Sequence, residues 1–230
     1  MSRGRSRGGS VVLLSGGMDS STCLALAAHD RRPLHALTIV YGQTHAREIR
    51  SARAVARHFR VRHHAVVRLP IGPLLRSSIT DPSRRIPMGG VRPGTIPSTY
   101  VPGRNLIFLS IALGYAESHS LDTIVIGANA IDYSGYPDCR PEFFRAFERT
   151  AALATKAGVT GSSRFRVRAP LLRMSKAEIV REGERQRVPW ALTWSCYTGG
   201  RRPCGQCDSC RLRARGFRAA GVRDPVAPPA

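Results

Sequence analysis

The chain has 230 residues, 36 of them Lys or Arg against 15 Asp or Glu, for a formal net charge of +21. That length suits one substantial core with a small appendage and excludes two full enzymatic domains. With 42% hydrophobic residues and no apolar run near the ~20 residues that cross a bilayer, the composition argues against a helical membrane protein and for a soluble one. Such a charge suggests nucleic acid as a partner, yet the arginines are scattered and no basic stretch is interleaved with aromatics. A solvated basic surface, or a basic funnel for a small anion, accounts for the charge better, and nucleic acid is not the expected partner.

The opening "MSRGRSRGG" is basic and is followed by only four apolar residues, "VVLL", too few for a signal-peptide core. Residues 1–9 are therefore expected to form a disordered tail on a cytoplasmic protein. "SVVLLS" at 10–15 reads as a strand, and "GGMDSSTCLALAAHD" turns into a helix. "PLHALTIVYG" is a second strand, followed by a helix in "THAREIRSARAVARHF", where Ile49, Ala52, Val55, Ala56 and Phe59 share one face. "HHAVVRL" is the third strand. Residues 70–103 are rich in Pro, Gly and Ser, and so long a connection is functional or mobile. Beyond it, "RNLIFLSIALGYAESHS", "PEFFRAFERTAALATKAG" and "SKAEIVREGERQR" read as helices, with "DTIVIGAN" and "FRVRAPL" as strands between them. Ser175 and Glu178 form a capping-box pattern at the last helix start. The alternation predicts a doubly wound, parallel, five-stranded α/β domain over 10–190. A cysteine-rich segment at 191–220 and a frayed Pro/Ala-rich tail at 221–230 complete the chain.

Two stretches carry most of the chemistry. "SGGMDSS", Ser15 to Ser21, lies between the first strand and the first helix, where paired glycines and a helix N-terminus converge backbone N–H groups on one point. Ser15, Ser20 and Ser21 add hydroxyls, and Asp19 could hold a magnesium ion bridging phosphates. The plainer alternative is a helix cap by Asp19 or Ser20. The pattern is neither Walker A nor G-x-G-x-x-G. "SCYTGGRRPCGQCDSCRLR" places Cys196, Cys204, Cys207 and Cys210 at spacings that suit a tetrahedral zinc ion; an iron–sulfur cluster uses the same ligands. Four thiolates leave no open position, which predicts a structural role. Cys23 reads as a core residue, and Cys139 as packing or loop shaping.

The loop "SGGMDSS" resembles the S-G-G-x-D-S signature of the PP-loop ATP pyrophosphatases. Together with "YGQTHAREI", "YVPGRN", "GANAIDYSGYPDCRPEF", "PLLRMSKAEIV" and the cysteine segment, in that order, it strongly resembles the 7-cyano-7-deazaguanine synthase (QueC) family from about Val11 to Phe217. The resemblance implies an adenine nucleotide alpha hydrolase-like fold, structural Zn²⁺, Mg²⁺ with ATP, and a homodimer. It implies that ATP adenylates 7-carboxy-7-deazaguanine, that ammonia displaces AMP to give an amide, and that a second adenylation gives the nitrile. ATP would be held by Leu14, Ser15, Gly16, Gly17, Met18, Asp19, Ser20, Ser21, Thr22 and Arg104. Asp19, Ser15 and Lys176 would serve the chemistry; for Lys176 a solvent-facing position, and for Arg104 a solvated helix start, are the alternatives. The acceptor would meet Tyr41, Gln43, Asn105, Asp132, Ser134, Tyr136, Asp138 and Arg140. A PP-loop enzyme adenylating another acceptor, such as a tRNA base, would share the loop but usually carries an RNA-binding appendage. A non-enzymatic zinc and nucleotide module would leave the polar residues after the strands unexplained.

Overall fold

The computed structural model describes residues 8–30, 32–42, 47–81, 83–88, 96–129 and 136–227. Five strands form one sheet: β1 (Ser10–Leu13), β2 (Leu34–Val40), β3 (His63–Arg68), β4 (Thr123–Val125) and β5 (Arg166–Arg168). Every pairing is parallel and the order is β3-β2-β1-β4-β5. The order therefore reverses between β1 and β4, and a crevice opens at their carboxyl ends.

Seven helices flank the sheet: α1 (Met18–Ala28), α2 (Arg47–His58), α3 (Arg104–Ser118), α4 (Pro141–Ala154), α5 (Lys156–Val159), α6 (Lys176–Arg185) and α7 (Asp208–Ala220). β1 shows why both faces must be covered, since its side chains alternate between two cores. Val11 and Leu13 pack with Leu109 and Ala112 of α3 and with Phe144 and Phe147 of α4. Val12 and the following Leu14 pack with Leu24 of α1, Val55 of α2, Ile179 of α6 and Phe217 of α7. Each such fully buried Val, Leu or Phe contributes roughly 1.5–3 kcal/mol. A strand buried on both faces is the expected reading of an unbroken apolar run.

Three stretches carry more structure than their sequence patterns convey. The 191–220 segment is more than a cysteine knuckle: its second half is α7, which closes the core through Phe217. Past 221 the chain is still tied down, because the Asp224 side chain is 8% exposed and ion-paired to Arg213 at 2.7 Å. Residues 70–103 also contain buried structure. Ser77, Ser78, Ile79 and Thr99 are buried, and Ser78 N–H donates to Ser98 O at 2.9 Å. Among the described residues no helix is long and apolar enough to cross a membrane.

Candidate functional site

The phosphate-loop sequence follows β1 directly. Gly16 has φ +85°, and a Cβ there would stand 2.5 Å from Ala52 N and 2.7 Å from Glu48 O of α2, so only glycine lets the loop lie this close to that helix. Ser15 and Ser20 tie the turn, with their hydroxyls 2.9 Å apart, and Gly17 N–H donates to Ser15 Oγ at 3.3 Å. The plainer capping alternative is not what forms. Gly17 is the N-cap of α1 and no side chain caps the helix, which leaves its first amides and partial positive charge directed at the crevice.

Asp19 splits its carboxylate between two tasks. Oδ2 accepts from Lys176 Nζ at 2.7 Å, while Oδ1 is buried without a hydrogen-bond partner among the described residues. An unmet buried acceptor costs about 1–3 kcal/mol, a cost that an arriving ligand removes. Lys176 opens α6, set in place by a capping box in which Ser175 and Glu178 exchange hydrogen bonds. It is buried rather than solvent-facing. Ser21 Oγ is likewise buried and unpaired. Thr22 is buried and donates to Met18 O at 2.9 Å, within α1.

Ser15, Gly17, Met18, Asp19, Ser20 and Lys176 line one side of a cleft of about 260 Å³, and Gly16, Ser21 and Thr22 stand behind that lining. The far side is built at the start of α3. Arg104 and Asn105 line it together with Tyr41 and Tyr136. Burial works against the Arg104 charge, but Tyr41, Tyr136, Asp138 and Tyr197 outweigh it and hold the guanidinium protonated more firmly than a free arginine. Burial pushes the phenols of Tyr41 and Tyr136 up, so both remain neutral hydrogen-bonding rings. Asp138 Oδ2 accepts from Asn105 N–H at 3.0 Å, and Asn105 Nδ2 donates to Asp138 O at 3.1 Å and to Cys139 Sγ at 3.3 Å. The buried Asp138 thus caps α3, whose own N-cap, Gly103, has no side chain to do so. Burial and Asp138 push the Cys139 thiol up to about 11, consistent with packing rather than nucleophilic use. Burial also pushes the Cys23 thiol upward in the core.

Arg140 is exposed at the start of α4 and does not line the cleft. Gln43, Asp132 and Ser134 lie outside the described residues. The structure adds cleft residues that sequence reasoning passed over: Ile79, Phe108, Asn129, Trp194, Tyr197 and Arg213. Nothing in the sequence singles out Ile79. Trp194 carries a weak signal, as an aromatic two residues before the first clustered cysteine.

Cys196, Cys204, Cys207 and Cys210 converge, their sulfurs all within 4.8 Å of one another. Hydrogen bonds from Cys207 and then Cys210 hold the Cys196 thiol low. The same contact with Cys196 pushes Cys207 up to about 11, and Cys210 rises for the same reason. Four sulfurs this close cannot share negative charge without a cation, so the donor set fits a thiophilic metal. The segment touches the phosphate loop. Trp194 packs with Cys196, Cys207 and Cys210, and its backbone N–H donates to Gly16 O at 2.8 Å. The Arg47 guanidinium sits 4.5 Å from the centre of the same indole.

A family model described as "Queuosine biosynthesis protein QueC" matches residues 9–221. The chain is 51% identical over 218 residues to a 7-cyano-7-deazaguanine synthase of Azotobacter vinelandii, covering 94% of this chain and 96% of that protein. It is 53% identical over 217 residues to the enzyme of that name from Ectopseudomonas mendocina, covering 93% and 95%. Among solved structures, an NMN synthetase from Francisella tularensis aligns at TM-score 0.49 and 14% identity over 95% of this chain and 80% of that one, a likeness too distant to bear on the chemistry.

Proposed function

The chain belongs to the QueC family, and on that premise we propose that it is an ATP-dependent ligase converting 7-carboxy-7-deazaguanine and ammonia to 7-cyano-7-deazaguanine, in the cytoplasm and as a homodimer. The observation that carries the site assignment is Asp19. It sits where an uncapped helix N-terminus meets the cleft, with one oxygen on Lys176 and the other buried and unpaired. Phosphate, a cation and a lysine are the partners such a place accepts.

The nucleotide phosphates lie along Ser15–Ser20, held by loop amides and by the Ser15 and Ser20 hydroxyls. The unpaired Asp19 oxygen fits a hard cation, and Mg²⁺ bound there would offset charge building on the departing pyrophosphate. Lys176 neutralises the same charge from the opposite side of Asp19. A carboxylate resists attack by ammonia until one of its oxygens becomes part of a good leaving group. Adenylation supplies that twice, first on the acid and then on the amide. The flat acceptor lies among Tyr41, Tyr136 and Asn105, whose rings and amide match a purine-like face and edge. Arg104, firmly protonated and facing the cleft, pairs with an anionic group there, a part that the exposed Arg140 is poorly placed to play. Cys196, Cys204, Cys207 and Cys210 hold Zn²⁺, which supplies folding energy to the C-terminal segment.

The test is direct. Protein incubated with ATP, Mg²⁺, ammonium and 7-carboxy-7-deazaguanine should yield AMP and a nitrile detectable by mass spectrometry. ATP consumption to ADP, or AMP release indifferent to the acceptor, would overturn the assignment.

A further inference from the structure

Two charged side chains of the described cleft lining, Glu48 and Arg213, are not used by the proposed chemistry. Arg213, on α7, is buried and lines the cleft, yet its guanidinium is spent on the protein itself. Nε and Nη2 donate to Asp224 Oδ2 and Oδ1 at 2.7 and 2.9 Å, a bidentate pair. Nη1 donates to Thr193 Oγ1 at 2.8 Å and reaches Ser195 Oγ at 3.4 Å. Thr193 and Ser195 flank Trp194, whose N–H donates to Gly16 O in the phosphate loop. Polar contacts, joined by the Thr193–Trp194 backbone, therefore lead from Asp224 to the carbonyl of the loop's first glycine.

The sequence builds this route deliberately at its far end. Gly221 takes φ +73° after α7, and Val222 N–H returns to Phe217 O at 3.1 Å. That turn reverses the chain and brings Asp224 back alongside Arg213. Val226 N–H then donates to Asp224 Oδ1 at 3.1 Å, so the carboxylate is oriented from both sides.

Resting on the reading that Ser15–Ser20 hold the ATP phosphates, we propose that Arg213 and Asp224 are a positioning couple: they hold Thr193–Ser195 against the loop, and so set its affinity for ATP. Neither touches the reacting atoms. Their action is on the pose of Gly16 and Gly17, whose amides must converge for phosphate. Because catalysis at saturating ATP uses groups elsewhere, the couple belongs to nucleotide affinity more than to turnover.

The experiment compares Asp224→Asn, which keeps the shape but removes the charge, and Thr193→Val, which removes the link to the guanidinium together with the hydroxyl's own bond to Trp190 O at 2.7 Å, with Val180→Ala, a buried α6 substitution outside the route. Each is assayed for thermal stability, for KM and kcat with ATP, and for ATP affinity by equilibrium dialysis without acceptor. Asp224→Asn and Thr193→Val should raise the ATP KM and dissociation constant by roughly tenfold, leave the acceptor KM unchanged and lower kcat by less than about threefold. Asp224→Glu should restore most of the affinity. Val180→Ala should lose stability while keeping wild-type ATP affinity. ATP affinity that falls in step with stability in all three variants, or stays at wild-type level in Asp224→Asn and Thr193→Val, overturns the proposal. Wild-type protein that binds no ATP would instead overturn the function on which it rests.

Discussion

The phosphate loop and the cysteine segment are both glycine-bearing turns that gather polar atoms at one point, but they treat those atoms in opposite ways. At the loop, Asp19 Oδ1 is left unpaired, α1 is uncapped and the hydroxyls of Ser15 and Ser20 edge an open cleft. In the cysteine segment the four sulfurs face one another, and backbone N–H groups of Cys204 and Cys207 donate to Cys196 and Cys204 at 3.3 Å. Unmet groups that edge a cleft are where a substrate and its chemistry enter. Sulfurs that face one another fit a buried metal that serves the fold. Trp194 joins the two regions through Gly16.

The largest effect should come from breaking the closed site. Cys207→Ser removes one of four ligands, and metal binding supplies on the order of 10 kcal/mol of folding energy in structural zinc sites. The variant should lose metal and thermal stability together and become insoluble or protease-sensitive. Metal analysis of the wild type should show close to one zinc per chain, without the visible absorbance of an iron–sulfur cluster. A variant that folds well and loses only catalysis would erase the distinction drawn between the two regions.

Breaking the open site should act on chemistry and spare the fold. Asp19→Ala should reduce AMP formation by on the order of 10³, while the fold survives with a modest drop in thermal stability, since the change removes the unpaired Oδ1 and one ion pair, that of Oδ2 with Lys176. Wild-type turnover in this variant would contradict the proposed role. Ser15→Ala should be milder, weakening ATP by about threefold to tenfold, because backbone amides continue to hold phosphate. Nucleotide titration of that variant separates the hydroxyl's share from the backbone's.

The smallest effect lies away from both regions and sharpens the comparison as a control. His35, on β2, stacks on His63 with ring centroids 4.4 Å apart, contacts His119 at 5.5 Å and bonds Tyr115 Oη through Nδ1 at 3.0 Å. Burial, then His63 and His119, hold its pKa below the usual histidine value. Its lowered folded-state pKa means that the unfolded chain binds the proton more readily. Stability should therefore be complete above about pH 6.5 and decline as pH falls from there through the lower folded-state value. Melting temperature followed against pH should show that decline, and His35→Gln should reduce it without altering ATP affinity at neutral pH, leaving the share of His64, whose pKa burial and Arg53 also lower.

Much of this architecture was legible because it rests on local patterns. The β1 run, the face shared by Ile49, Ala52, Val55 and Ala56 of α2, and the Ser175 capping box are all consequences of neighbours in sequence. α7 was not legible, because its buried face includes Arg213 and Gly216 beside Leu212 and Phe217, which breaks the apolar period on which a helix is recognised. The burial of Arg213 depends on Asp224, and that pairing needs the reversal at Gly221. The cleft divides in the same way. Asp19 and the cysteines stand in compact motifs, whereas Ile79, Phe108 and Trp194 reach the cleft only through tertiary packing. Asp138 shows a further limit: the family resemblance assigned it to the acceptor, and nothing in its neighbours in sequence shows that it also accepts from Asn105 N–H at the start of α3.

The central claim, that the open loop activates the acceptor's own oxygens through the α-phosphate of ATP, is tested most directly by following those oxygens. 7-Carboxy-7-deazaguanine carrying heavy oxygen at both carboxylate positions should be turned over with ATP and ammonium, and the AMP examined by mass spectrometry. Two successive adenylations require that each nitrile be accompanied by two AMP molecules and that each AMP carry one heavy oxygen. Unlabelled AMP, or a single AMP per nitrile, would contradict the account.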